Sequence, residues 1–336
     1  MIRIAAFLGG CALLAGLFVH FGPARILSLL TSIGWNFLGV VSLFLAHELV
    51  RTLAIRRWLP ADSCPPLREM LLIRLFGEAA GALTRTGSLA AEPARAWLLA
   101  RRGAGAVPGY SAAVGELMTN GAISAAVNVV VAATALLLVD LAGPIAVLAH
   151  AVLWGSLAYL IVVAGIVSSR LSLLEACARA AAMLPLVGSR LRPRPGKMEE
   201  LQQSITSALT EGSVALARIV LLELAAQTIL VGEVYWTVRS MGVPVSGRSA
   251  LFMEVMTRPL TIVELVGATE MGFAAVFTWL GMPAALGFSL SLVKTLRSLT
   301  AAGVGILAGL NIPAMLSSRK DTPSLHIVHA GDARVP

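Results

Sequence analysis

The chain has 336 residues, of which 57% are hydrophobic and only 13% charged, and its mean hydropathy is +0.83. Soluble domains carry about 25% charged residues, so this composition excludes a soluble globule and predicts that lipid is the solvent for much of the chain. The net charge of +8 comes from short basic clusters between apolar runs, a pattern that sets membrane topology and argues against nucleic-acid binding.

The first two apolar runs predict two membrane-spanning helices. Residues 4–21 follow a basic residue, but no A-x-A cleavage site comes after them, so they are predicted to be an uncleaved first span. Residues 34–55 form the second run, which ends among Arg51, Arg56 and Arg57. Basic residues favour the cytoplasmic side, so this end of the second span is expected in the cytoplasm.

The stretch 67–99 is apolar enough to enter the bilayer, yet several charges, glycines and a proline interrupt it. Such a segment makes a poor simple span facing lipid. It is typical of a broken or re-entrant element buried among other helices.

Two further spans, 110–139 and 145–167, are predicted on either side of a short loop without basic residues, which is expected outside. The basic region 169–212 is predicted to be a cytoplasmic linker, and within it the amphipathic piece 171–184 is expected to lie on the membrane surface.

The second half repeats this order. A polar helix, 198–211, leads into a span at 214–238. Residues 251–280 are again interrupted by charges, glycines and a proline, and 283–310 form the last span. Residues 313–336 are predicted to be a disordered cytoplasmic tail.

Taken together, the elements predict an all-α polytopic membrane protein with about six full spans and two broken or re-entrant elements. A single transmembrane domain would cover residues 1–312, with halves at 1–168 and 213–312. Both termini are expected in the cytoplasm.

The two broken elements resemble each other. A shift of 178 positions places Glu92 on Glu270, Gly103 on Gly281 and Ser111 on Ser289. A glutamate inside a membrane segment is rare, which gives the first match its weight. The charge pattern predicts that the two halves run in opposite directions, as in transporters built from inverted repeats. Convergence between spans rich in Gly and Ala is the alternative.

Two segments in this order carry a family resemblance. Residues 87–105, GSLAAEPARAWLLARRGAG, and residues 264–297 resemble the paired motifs of the lysylphosphatidylglycerol synthase transmembrane-region family, which is flippase-like. The chain is most similar to its hopanoid-biosynthesis-associated branch. The resemblance covers roughly residues 5–312 and implies handling of a lipid without the synthase chemistry, because no soluble aminoacyl-transfer domain accompanies the membrane part.

Carried over by position, Glu92 and Arg95 match the first motif, while Gly267 and Glu270 match the second. The chain departs from the family at two places. The family has a glycine immediately before the first glutamate, where this chain has Ala91. Of the family's Pro-Gly-Gly in the second motif, this chain keeps only the last glycine, Gly267. Both changes bear on the local backbone, because only glycine adopts positive φ freely.

The intramembrane charges are the predicted substrate-binding residues. A charge at the bilayer centre costs at least about 2.5–3.5 kcal/mol, so a set of them predicts a polar groove that passes a lipid headgroup. Arginines would contact an anion and glutamates would pair with them or with a cationic headgroup; for any one residue, a helix-locking ion pair is the alternative. The set comprises Arg74, Glu78, Arg85, Glu92, Arg95, Glu223, Arg258, Glu264, Glu270 and Arg297.

These features favour a non-enzymatic lipid translocase of the bacterial plasma (inner) membrane, with membrane lipids as partners and a hopanoid or polyisoprenoid type of substrate. No catalytic motif is present in the sequence. Three cysteines without CxxC spacing predict neither a metal site nor another cofactor. Two alternatives stay open: a membrane enzyme subunit that modifies a lipid headgroup, and a scaffold that holds lipid-biosynthesis enzymes through residues 170–197.

Overall fold

The protein is all-helical wherever its structure is described. The computed structural model describes residues 15–57, 65–84, 88–102, 126–134, 213–262 and 267–310, with a few positions between 146 and 161, and every regular element among them is a helix. The predicted linker 169–212 with its helices 171–184 and 198–211, the tail 313–336, and two predicted site residues, Arg85 and Glu264, lie outside the described residues.

Three helices are long and apolar enough to span a membrane, which makes the chain a membrane protein. α2 (Asn36–Arg56), α5 (Ser213–Ser240) and α8 (Ala284–Leu310) contain windows of mean hydropathy 1.6, 1.5 and 1.3. At 1.5 Å per residue, the 21 residues of α2 extend about 31 Å, close to the thickness of the hydrocarbon core. These helices confirm three of the predicted spans; the other three, and the inverted repeat, stay predictions.

A short helix, α1 (Pro23–Ile33), precedes α2. Proline suits the first helical turn, because its fixed φ matches the helix and its missing N–H would have no intrahelical acceptor there.

The spans carry exposed apolar side chains, as expected for surfaces that face lipid. Trp35 at the start of α2 is 88% exposed, and Leu221 and Leu307 are exposed on α5 and α8.

Both stretches that were predicted to be broken form pairs of helices. The first contains α3 (Leu67–Thr84) and α4 (Ser88–Arg102) and the second contains α6 (Gly247–Ile262) and α7 (Ala268–Trp279). Within each pair the helices pack against each other. The structure therefore confirms an interruption in each stretch.

α8 lies at the centre of the described part of the molecule. It packs along α3 and α7 and also contacts α1, α2 and α5, while α2 packs along α5. The largest described core joins α1, α2, α5, α6, α7 and α8 through buried side chains that include Val40, Val234, Met253, Phe277 and Leu290. This packing encloses the charged side chains described next.

Candidate functional site

Charged side chains from six helices meet in the interior. We call them the charged network, and within the described residues it holds six carboxylates and six cations. The carboxylates are Glu48, Glu78, Glu92, Glu223, Glu233 and Glu254, and the cations are Arg51, Arg74, Arg95, Arg258, Lys294 and Arg297. Because the two signs are equal in number, these twelve side chains bring no net charge into the low-dielectric interior.

The first part of the network joins α2, α3, α4 and α5. Arg74 Nε donates to Glu48 Oε2 at 2.8 Å, and both residues are buried. Arg51 Nε lies 3.5 Å from Glu223 Oε1, and Glu223 is fully buried. We call Glu48, Arg51, Arg74, Glu78, Glu92, Arg95 and Glu223 the first charge cluster.

Arg95 anchors the outer edge of this cluster. Its Nη1 donates to Glu92 Oε1 at 2.5 Å and its Nη2 donates to Glu78 Oε1. The Arg95 side chain is 3% exposed, whereas those of Glu78 and Glu92 are 27% and 40% exposed. The cluster therefore runs from a buried end at Glu48 and Arg74 to an accessible rim at Glu92.

A glycine makes room for Arg95. A Cβ on Gly77 would lie 2.5 Å from Arg95 Cγ and 2.6 Å from Arg95 Nε. Atoms at these distances overlap, so a side chain at position 77 would displace Arg95. Gly77 lies next to Glu78 on α3, so the absence of a side chain at position 77 lets Arg95 lie close to this helix and reach the Glu78 carboxylate.

The second part of the network joins α5, α6 and α8. Lys294 Nζ donates to Glu254 Oε2 at 2.6 Å, and Arg297 Nη1 donates to Glu233 Oε2. Lys294 Nζ also lies 5.6 Å from the centre of the Phe273 ring. We call Glu233, Glu254, Lys294 and Arg297 the second charge cluster.

Arg258 connects the two clusters. Its Nη1 donates to Asn128 Oδ1 at 2.6 Å and to Gln227 Oε1. Its charge interacts with Glu254 of the second cluster and with Arg51 and Glu223 of the first. Arg258 therefore lies within electrostatic range of both clusters.

Glu270 makes a different kind of contact. Its Oε2 accepts a hydrogen bond from the backbone N–H of Gly267 at 2.7 Å, which caps the start of α7. Gly267 has φ 81°, in the left-handed region where a Cβ is unfavourable. Gly267 thus occupies a position that needs glycine, and Glu270 holds the backbone there. Glu92, its partner in the predicted repeat, instead pairs with Arg95.

The structure brings together seven of the ten predicted site residues. Arg74, Glu78, Glu92, Arg95 and Glu223 lie in the first cluster, Arg297 lies in the second, and Arg258 connects them, whereas Glu270 caps α7.

The prediction missed five members of the network: Glu48, Arg51, Glu233, Glu254 and Lys294. A spacing signal existed for most of them. Glu48 and Arg51, Glu254 and Arg258, and Lys294 and Arg297 are three or four residues apart, which places each pair on one helix face.

His47 neighbours the network without entering a metal site. Its Nδ1 carries the proton that hydrogen-bonds the Ala226 carbonyl at 3.1 Å, since a carbonyl only accepts, and its Nε2 lies 3.6 Å from Glu48 Oε1. Among the described residues no group of three or more His, Cys, Asp or Glu side chains is arranged to hold a metal ion.

Comparisons with protein-family models, curated proteins and solved structures found no match to this chain.

Proposed function

We propose that this protein is a non-enzymatic lipid translocase of the bacterial plasma (inner) membrane. One observation carries the proposal: a charged network of zero net charge lies between helices of membrane length. Charged groups at membrane depth are costly, and they are typically retained where they face a bundle interior and serve a substrate path. A polar groove would let a headgroup cross while the lipid tails stay in the bilayer.

The accessible rim of the network supports a groove rather than a set of helix locks. Locking pairs need no exposure, yet the side chains of Glu78 and Glu92 are partly exposed while their partner Arg95 is buried. A headgroup that reached Glu92 would meet its partner Arg95, a buried member of the first charge cluster.

The packing supports two related halves. Val131 and Ala132, in the predicted span 110–139 of the first half, pack against the helix pair of the second half at Phe252 and Val276. In turn α8, which closes the second half, packs along α3 of the first half. The spans that precede the two helix pairs, α2 and α5, pack against each other. We therefore propose that six spans and the two helix pairs form an inverted repeat.

The resemblance to the flippase-like family supports the same class of activity. It favours a hopanoid or polyisoprenoid type of lipid as the substrate and lipid-biosynthesis enzymes as additional partners. We further propose that both termini lie in the cytoplasm, because basic residues flank the apolar runs on that side.

Translocation by the purified full chain in liposomes tests the proposal. Fluorescent lipids would be loaded in one leaflet, and their arrival in the other would be read with a membrane-impermeant quencher. Glu92→Gln should slow the arrival, because it weakens the rim pair with Arg95. Glu69→Gln, in the first turn of α3, provides a control of identical chemistry. No leaflet exchange by the wild-type chain in any lipid tested would refute a translocase.

Cells distinguish the other two functions. In a translocase, Glu92→Gln leaves total lipid unchanged and lowers the amount of lipid in the outer leaflet. Accumulation of a precursor, with loss of one lipid species, would identify an enzyme subunit. A wild-type phenotype for Glu92→Gln, combined with loss of function when residues 170–197 are deleted, would identify a scaffold.

A further inference from the structure

Arg74 is only partly satisfied by its protein partner. Its Nε is bonded to Glu48, but Nη1 and Nη2 are buried and have no hydrogen-bond partner within the described part of the chain. The residue is 3% exposed. Two neighbouring N–H groups on a planar guanidinium form the fork that binds two oxygens of a phosphate or carboxylate.

Other nitrogens of the charged interior are buried without a hydrogen-bond partner among the residues described. They are Arg51 Nε and Arg95 Nε of the same cluster, and Nε2 of Gln227, whose Oε1 accepts from Arg258. Buried polar groups normally have partners. A ligand that supplies several acceptor oxygens would satisfy these nitrogens, and an anionic group would do so through the stronger charge-assisted hydrogen bonds. An ammonium group has only donors and could not complete the Arg74 fork.

Charge balance restricts the ligand further. The first charge cluster holds four carboxylates and three cations, so a lone anion would add to an excess of negative charge in a low-dielectric interior. A zwitterion adds no net charge. Its cationic end needs a carboxylate, and Glu78 and Glu92 stand at the accessible rim beside Arg95.

We propose that the first charge cluster binds a zwitterionic phosphate–ammonium headgroup. The phosphate oxygens accept hydrogen bonds from Nη1 and Nη2 of Arg74, and the ammonium lies at the rim against the carboxylates of Glu92 and Glu78. The assignment of this headgroup to a lipid rests on the proposed translocase function. The same chemistry occurs in soluble phosphoethanolamine, so the test includes it.

Binding by the purified full chain tests this site. Native mass spectrometry in detergent would compare phosphatidylethanolamine, which is zwitterionic, with phosphatidylglycerol, which is anionic and has the same phosphate. We expect phosphatidylethanolamine to bind about tenfold more tightly, the effect of roughly one charge-assisted hydrogen bond. Arg74→Lys should weaken its binding about tenfold, because lysine retains the charge beside Glu48 and loses the two-pronged fork. Arg239→Lys, at the end of α5 where Arg239 contacts Tyr235, is the matched control.

Glu92→Gln supplies a second test at the rim, where folding is least at risk. Loss of its charge should reduce the preference for phosphatidylethanolamine over phosphatidylglycerol towards one, because only the former has an ammonium. Equal binding of the two lipids by the wild type, or no change with Arg74→Lys, would overturn the zwitterion site. Binding of soluble phosphoethanolamine as tight as that of the lipid would overturn the lipid assignment.

The liposome assay separates this inference from the proposed function. Headgroup preference without movement between leaflets would refute the translocase and leave the binding site intact. Movement between leaflets with no preference for the zwitterion would refute the headgroup and leave the translocase intact.

Discussion

The guanidinium carbon of Arg297 lies 4.2 Å from the centre of the Phe44 ring. This contact joins α8 to α2, and because Arg297 also donates to Glu233, it brings in α5. All three membrane-length helices thus meet at one cation. The aromatic face compensates part of the charge on the side that Glu233 does not cover.

Phe44→Leu should destabilise the protein and slow translocation. Leucine keeps an apolar side chain in the core but removes the aromatic face, and a desolvated cation–π contact contributes about 2 kcal/mol. Thermal unfolding in detergent measures the loss. Phe37→Leu is the control, since Phe37 packs in the apolar core two turns earlier on α2. Equal effects of the two changes would show that ring volume alone matters.

The buried pair Glu48–Arg74 should behave as a coupled unit. Glu48→Gln leaves the Arg74 charge uncompensated, and Arg74→Gln does the same to Glu48; breaking one partner of a buried pair costs about 3–5 kcal/mol. The double variant leaves neither charge and should recover part of the stability. Unfolding of all four proteins in mixed micelles gives the coupling energy, and strictly additive losses would contradict an interaction between them.

Gly77→Ala should disable the rim of the first cluster. The new Cβ would overlap Arg95, so the arginine must leave its position between Glu78 and Glu92, and lipid translocation should fall. Gly232→Ala is the matched control, because nothing lies within 4 Å of its added Cβ. In the helix interior of α5 that change should stabilise by about 1 kcal/mol. Full translocation by Gly77→Ala would show that Arg95 is not needed where it stands.

The membrane helices could be predicted because their signal is local. A run such as 34–55 needs only consecutive apolar residues, and the interruptions at 67–99 and 251–280 follow from glycines, prolines and charges within each stretch. The two interrupted stretches were therefore predicted close to the positions of the observed helix pairs. Which helices touch could not be predicted, since the packing of α3 on α8 depends on residues more than 200 positions apart.

The site was harder because the pairing partners are distant in sequence. Arg297 and Glu233 are 64 positions apart and Arg258 and Asn128 are 130 apart, and no short motif encodes such contacts. Position along a span is a poor guide to burial: Glu48 lies near the end of the predicted span 34–55, yet it is buried and accepts a hydrogen bond from Arg74. The capping contact of Glu270 could not be predicted either, because it depends on the backbone φ of Gly267.

Glu270→Gln should lower stability more than the translocation rate of the folded protein. The carboxylate caps the Gly267 N–H at 2.7 Å, and loss of a helix cap costs about 1 kcal/mol. Glutamine retains an acceptor oxygen without the charge, so the loss should be partial. Thermal unfolding, together with the rate per folded molecule in liposomes, separates the two effects. A rate as low as that of Glu92→Gln, at normal stability, would place Glu270 in the substrate path instead.

Exchange of both charges in the pair Glu254–Lys294 should restore only part of the stability that each single charge reversal removes. Lys294 Nζ lies 2.6 Å from Glu254 Oε2. Lys294→Glu replaces this ion pair with two carboxylates, and Glu254→Lys replaces it with two cations, so each single change should destabilise by about 3–5 kcal/mol. The double reversal restores opposite charges. However, the cation that lay 5.6 Å from the centre of the Phe273 ring would be replaced by a carboxylate facing the negative side of the aromatic quadrupole. Adding Phe273→Leu to the double reversal should therefore recover further stability, although the same change in the wild-type protein should lose it. Thermal unfolding of these variants measures the change. If Phe273→Leu changed stability in the same direction in both backgrounds, the contact between the Lys294 cation and the Phe273 ring would be contradicted.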